Sequence, residues 1–146
     1  MVVRIEFENE HVVIEVLPEV QMVRSTWHGN VSGEAYRSAL MVLLDLVKRD
    51  KLKYWLTDAR DMGPILYEDQ QWSLHTYIPL LMEEGLERIA IVSSSDVLNV
   101  LAVDRMVNLT PDSAKYVMAF FENPSMAQLW LTSKNGENVP ADRKHS

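Results

Sequence analysis

Asp58, Arg60 and Asp61 follow directly on the apolar run Tyr54-Trp55-Leu56-Thr57. Two carboxylates and a guanidinium so placed can do three kinds of chemistry. An arginine fork takes an anionic group by paired hydrogen bonds, with a carboxylate beside it to orient the arginine or a polar ligand. Carboxylates forced close together split their pKa values and serve as acid and base. Together with His28, two aspartates can contribute to a metal site. A plainer role competes with all three, in which Asp58 and Arg60 form a capping or ion-pair network that ties a loop to nearby backbone. A spacing of three does not bring Asp58 and Asp61 together, and one histidine on a separate segment is a weak metal signal. No catalytic residue, metal ligand or cofactor is therefore assigned. The expected ligand contacts are Asp58, Arg60 and Asp61, with Trp27 at a neighbouring strand end and Trp72 on the following helix.

Other residue sets carry less. Ser93-Ser94-Ser95 precedes a helix and can bind phosphate through backbone N–H groups, but no glycine-rich loop accompanies it, and capping by Ser94 or Ser95 is the preferred role. Trp72 and His75, beside Tyr77 and Pro79, can face a groove or the core. Serine, histidine and aspartate are all present, yet no Gly-x-Ser-x-Gly elbow holds a nucleophile. The chain contains no cysteine, which removes disulfides, thiol nucleophiles and cysteine-based zinc sites together. These absences favour a binding protein over an enzyme.

The elements that must position these residues are legible from hydrophobic period. Val3, Ile5 and Phe7 alternate with Arg4, Glu6 and Glu8, the signature of a half-buried strand. Val12 to Leu17 is a second strand, and Pro18-Glu19 turns the chain into a third, Val20 to Trp27. Connections this short require antiparallel pairing. The period then lengthens. Ser32 is the expected N-cap of an amphipathic helix reaching Arg49, with Tyr36, Leu40, Leu43 and Val47 on one face. Tyr54 to Asp58 is a fourth strand, and Thr57, by alternation, faces the opposite side of the sheet from Asp58. Tyr67 to Glu84 is a second helix with a kink expected where Pro79 crowds the His75 carbonyl. Arg88 to Val92 is a continuous apolar strand, covered on both faces. A third helix carries Val97, Val100, Leu101 and Met106, residues 115–121 form the last strand, and Asn123-Pro124 opens a final helix with Ala127, Leu129, Trp130 and Leu131 on its apolar face.

The order βββαβαβαβα predicts an α/β domain over 1–133, with a mixed sheet antiparallel at its start and parallel later. Residues 134–146 are polar without periodicity and are expected to be disordered. An open edge on the N-terminal ribbon predicts a homodimer that covers it. The chain's 146 residues suit one domain, and its 47% apolar content fills an ordinary core. A formal charge of −7 with no Lys/Arg-rich run argues against nucleic acid as a partner. No apolar run spans a bilayer, and Arg4 and Glu6 interrupt the first stretch where a signal peptide would need apolar residues, so the expected location is cytoplasmic.

That element order is similar to the STAS fold of the SpoIIAA-like anti-sigma-factor antagonists. Locally the chain resembles bacterial STAS/SEC14 domain-containing proteins of unknown function, through Trp27-His28-Gly29-Asn30-Val31, Tyr54 to Arg60, Glu68 to Trp72, Gly85 to Val92, and the closing Phe120-Phe121 to Trp130-Leu131. The resemblance implies a fold and a regulatory domain that binds a small molecule or a protein partner. Antagonists carry a phosphorylatable Ser or Thr after the equivalent strand. Asp58 to Gln71 contains neither, so partner switching by phosphorylation is not expected. The SEC14 side of the resemblance implies an apolar or lipid ligand, held in a cavity along the second helix near Trp72, Ile78 and Leu81.

Overall fold

Strict alternation at Val12, Ile14 and Val16 buries one side of a strand, and the same period recurs along the chain until seven strands share one sheet. The computed structural model describes residues 2–134 and 141–145. Its strands are β1 (Arg4–Glu8), β2 (Val12–Leu17), β3 (Met22–Gly29), β4 (Tyr54–Met62), β5 (Arg88–Val92), β6 (Val117–Phe121) and β7 (Arg143–His145). They lie side by side in chain order. Pairing is antiparallel from β1 to β3, parallel from β3 to β6, and antiparallel again between β6 and β7. The last of these is a departure from the expected tail: residues 135–140 and 146 lie outside the described residues, but Arg143–His145 extends the sheet.

Helices α1 (Glu34–Asp50), α2 (Tyr67–Trp72), α3 (Ile78–Met82) and α4 (Val97–Leu109) fill the parallel crossovers. Successive right-handed crossovers onto strands added in one direction place their helices on one face. Accordingly α1, α3 and α4 bury Leu43, Leu81 and Ala102 against Val23, Trp55, Ile89 and Phe120 of that face. Helix α5 (Pro124–Thr132) takes the opposite face, where Ala127, Trp130 and Leu131 pack on Met22, Leu56, Ala90 and Phe121. Arg88 closes α5 by donating from Nη1 to the carbonyls of Trp130 (2.6 Å) and Ser133 (2.8 Å), a cation at the negative end of a helix.

Several local expectations are corrected. Val20 belongs to a 3₁₀ turn, Pro18–Val20, and the third strand starts at Met22. Strand β4 does not stop at Asp58 but runs to Met62, because a bulge absorbs its polar residues. Thr26 faces Asp58 and His28 faces Asp61, so two steps on β3 match three on β4. The extra residue turns Met62 back to the face that Ala59 occupies, and both are buried. Ser32 does not cap α1. Its N-cap is Gly33, at φ 57°, whose N–H is taken by Asp69 Oδ2 of α2 at 2.9 Å. The α4 cap is Asp96, accepting from Leu98 and Asn99, and the helix is rotated from the expected face: Asn99 points inward to donate to the Gly63 carbonyl at 2.8 Å, leaving Val97 and Leu101 exposed. Leu129 likewise is exposed.

The second helix, expected over Tyr67 to Glu84, runs from Tyr67 to Met82 in three pieces. Between α2 and α3 lies a π turn, Ser73–Tyr77, in which the Ile78 N–H reaches back to the Ser73 carbonyl. Pro79 offers no N–H to the His75 carbonyl, and widening the preceding turn absorbs that defect within the helix.

Candidate functional site

Thr57 and Asp58 are neighbours in sequence and face opposite sides of the sheet, and the candidate residues divide between those sides. On the α5 side, Asp58 accepts from Arg60 Nε at 3.0 Å and Nη2 at 2.9 Å, while its Oδ1 also takes the Arg60 backbone N–H at 3.2 Å. Both carboxylate oxygens are thus engaged within one strand. Hydrogen bonding to Asp58, and then its charge, holds the Arg60 guanidinium above its ordinary range. Asp58 is buried, and the Arg60 side chain is 52% exposed.

Asp61 is not drawn into that pair. Its carboxylate is 75% exposed and lies 3.8 Å from His28 Nδ1, at the rim of the bulge. The serines after β5 pin this backbone in place. Ser94 Oγ donates to the Met62 carbonyl at 2.7 Å and accepts the Asp96 N–H at 2.9 Å, and Ser95 donates to the Arg60 carbonyl. A carboxylate cap on the following helix occupies the place an anion would take. Among the described residues no cluster of three metal-ligating side chains occurs.

On the other side, Trp27 is buried and belongs to a hydroxyl–indole cluster. Ser25 Oγ accepts from Trp27 Nε1 and Trp55 Nε1, each at 3.1 Å, and bonds Thr57 Oγ1 at 3.2 Å. Two accepted bonds use both lone pairs of Ser25, so its own proton goes to Thr57. Trp27 Nε1 also reaches Thr57 Oγ1, at 3.1 Å. Trp72 stands further out. Its ring is covered by the Arg37 guanidinium at 5.5 Å, stacks on Tyr77 at 5.7 Å and meets the edge of Tyr36 at 6.4 Å. Arg37 is held by Asp69 Oδ1 at 3.2 Å, so one buried carboxylate fixes both the start of α1 and the cation over Trp72. His75 lies 3.1 Å from Gln71 on the exposed side of the helix.

Between the sheet and the layer of α1, α3 and α4 is a cavity of about 140 Å³. Trp27, Thr57, Ala59 and Met62 supply its floor, Ile78 and Leu81 part of its roof. Trp72 does not line it directly and touches it through Tyr77. Among the described residues no charged side chain lines it. Its three phenols stay neutral: burial pushes Tyr36 up to about 12, against the pull of the 2.8 Å bond it shares with Ser73, pushes Tyr116 up to about 12, and pushes Tyr77 well above its ordinary range. The Tyr77 hydroxyl is fully buried and has no hydrogen-bond partner among the described residues. Leaving such a group unpaired costs roughly 1–3 kcal/mol.

Tyr77, Ser25 and Thr57 carry most of this chemistry and were not singled out by sequence as ligand contacts. A signal existed: Ser25 and Thr57 interrupt an otherwise apolar face on paired strands, and Tyr77 stands two residues before Pro79.

The fold as a whole is similar to that of a solved structure. An uncharacterised protein of the DUF3478 family from Shewanella loihica PV-4, with a SpoIIAA-like fold, superposes with a TM-score of 0.54 at 18% identity, covering 89% of this chain and 92% of that one. The fold is SpoIIAA-like. No family model matches the chain, and no curated protein matches it significantly. Among the described residues of this SpoIIAA-like domain, no helix is long and apolar enough to cross a membrane.

Proposed function

We propose that this SpoIIAA-like domain is a non-catalytic binding module, regulatory in role, whose ligand is a small, predominantly apolar molecule held between the sheet and the helical layer. The observation that carries this reading is the cavity of about 140 Å³, lined by apolar side chains and free of charged ones. A cavity of about 150 Å³ with apolar walls takes benzene, so this one suits a single ring or a short branched chain. It favours the apolar-ligand reading over an anion site at Asp58 and Arg60, where the carboxylate already takes the Nε–Nη2 fork of the guanidinium and its charge offsets the attraction for an anion. Trp27 is kept as a contact through the cavity wall, and Trp72 as its outer support. The exposure of Arg60 and Asp61 at the end of β4 leaves them as contacts for a protein partner on the other side of the sheet.

Trp27 and Trp55 both line the cavity and report on its occupancy. Titration with ethylbenzene should change their fluorescence saturably, and native mass spectrometry of gently purified protein should show a small adduct lost on denaturation. Ala59→Leu fills the floor and should abolish the fluorescence change, at a cost of about 1–3 kcal/mol for overpacking. An apo mass together with no saturable response to ethylbenzene up to its solubility rejects the reading.

A further inference from the structure

The outward face of α4 is apolar, where a helix on a protein surface ordinarily presents polar residues. Its outward residues are Val97, Leu98, Leu101, Arg105, Asn108 and Leu109, and the four aliphatic ones are each more than half exposed. At about 100° per residue, Leu101 and Arg105 lie near the middle of that arc. Leu66 and Tyr67, also more than half exposed, open α2 beside the start of α4, where Asn99 donates to the Gly63 carbonyl. Together these apolar side chains leave on the order of 600 Å² in water, the size of a functional patch rather than of scattered surface residues. Arg105 adds an independent sign. Every other arginine among the described side chains is bonded to a carboxylate or to backbone carbonyls. Arg105 has no such partner among the described residues, and it stands inside the apolar face. At the start of the same helix, Asp96 accepts from Leu98 and Asn99 through Oδ1, while its Oδ2 takes no hydrogen bond among the described residues.

We infer that this face is covered by the same face of a second copy of the chain, in a twofold dimer with the two α4 helices antiparallel and Leu101 against Leu101 on the axis. A twofold contact must be self-complementary, and this one is. Four residues from the axis, Arg105 of one copy lies opposite Val97 of the partner subunit, with Asp96 of the partner subunit beside it to take the guanidinium. Leu109, about 12 Å from the axis at 1.5 Å per residue, passes the end of the facing helix toward the start of the facing α2. Burying about 600 Å² on each copy gives about 1,200 Å² in all, the small end of specific interfaces. A lipid surface suits the face less well, because the face carries a single arginine and the chain a charge of −7. The open β1 edge also suits a second copy less well. Arg4 and Glu6 hold Asp50 and Arg49 along it, and its register shifts between Ile5 and Phe7, and charges and irregularities of this kind keep an edge from pairing.

Sedimentation equilibrium of the parent protein should show monomer and dimer with a dissociation constant on the order of 10 μM. Leu101→Asp should raise that constant more than tenfold, and Arg105→Glu, which sets a carboxylate against Asp96 of the partner subunit, by about tenfold. Both residues are exposed, so both melting curves should stay near that of the parent. The chain has no cysteine, so Leu101→Cys supplies a second readout. Mild oxidation at about 20 μM should yield a disulfide-linked dimer, and Ile5→Cys on the β1 edge should not. A parent protein that stays monomeric at about 200 μM, or a constant unchanged in Leu101→Asp, overturns the assignment. Crosslinking through Ile5→Cys alone overturns it in favour of the sheet edge. A monomeric parent protein that sediments with phosphatidylglycerol vesicles gives the face to lipid and overturns it too.

Discussion

Replacing Asp69 by alanine removes two restraints at once. Its carboxylate is buried and accepts from the Gly33 N–H at 2.9 Å and from Arg37 Nε at 3.2 Å. The first bond satisfies an orphan donor at the start of α1, a helix with no cap from its own N-cap side chain, and caps of this kind contribute about 1 kcal/mol. The second is charge-assisted, but Arg37 is 39% exposed, so screening limits it to about 1 kcal/mol or less. Loosening Arg37 also weakens its stacking over Trp72, worth on the order of 0.5 kcal/mol at a half-exposed site. The sum is a loss of about 2 kcal/mol. At ~2 kcal/mol per molar for a chain of this size, the urea midpoint should fall by about 1 M. Asp69→Asn keeps an acceptor for Gly33 and should recover about half of the loss. Equilibrium urea unfolding followed by far-UV circular dichroism measures both. A midpoint within about 0.2 M of the parent for Asp69→Ala, or no difference between the two variants, would refute this account of how α1 and α2 are joined.

Arg60→Ala should lower stability by only about 1 kcal/mol, since the pair is partly exposed, and should leave ethylbenzene affinity unchanged because Arg60 and the cavity lie on opposite faces; a large change in that affinity would contradict the division. Gly63→Ala should cost little, because the added Cβ meets only the side chain of exposed Asn30, which can swing aside, and the bonds of the Gly63 N–H and C=O to Gly29 and Asn99 are kept. A melting temperature within a few degrees of the parent is the expected reading, and a large drop would show that Asn30 cannot move. Tyr36, Tyr116 and Tyr77 all have pKa values raised by burial above the ordinary 10.0, so the folded state disfavours their ionisation. Their contribution is intact below about pH 10 and is lost as pH rises toward 12, where the unfolded chain ionises first. Unfolding monitored by phenolate absorbance should therefore steepen across that window, and free titration of all the tyrosines without unfolding would contradict their burial.

Alternation made much of this molecule readable. Val12, Ile14 and Val16 announce β2, and Thr57 against Asp58 correctly places two side chains on two faces. What escaped the sequence depends on contacts between segments. Ser32 is a sound local cap, yet Gly33 takes the N-cap position and is held there by Asp69, thirty-six residues beyond it. Ser94 and Ser95 resemble caps for α4, but their hydroxyls are occupied by β4 carbonyls and the role passes to Asp96. The polar run Asp58-Ala59-Arg60-Asp61 reads as a strand end because a bulge has no signature in a single strand; it exists only in register with β3. The cavity was anticipated in part, through Ile78 and Leu81, while the burial of the Tyr77 hydroxyl without a partner emerges only from the packing of the helices on the sheet.

Because the strands lie in the sheet in the same order as in the chain, each one from β2 onward finds its template already present when it emerges. A chain made from its N-terminus can then build this sheet by accretion, one strand and one crossover at a time, with no earlier strand held open to await a later insertion. Pairings between sequence neighbours also keep loop-closure costs small. The vulnerable moment falls after β3 has paired with β2 and before α1 and β4 cover it, when Val23 and Trp27 are still uncovered.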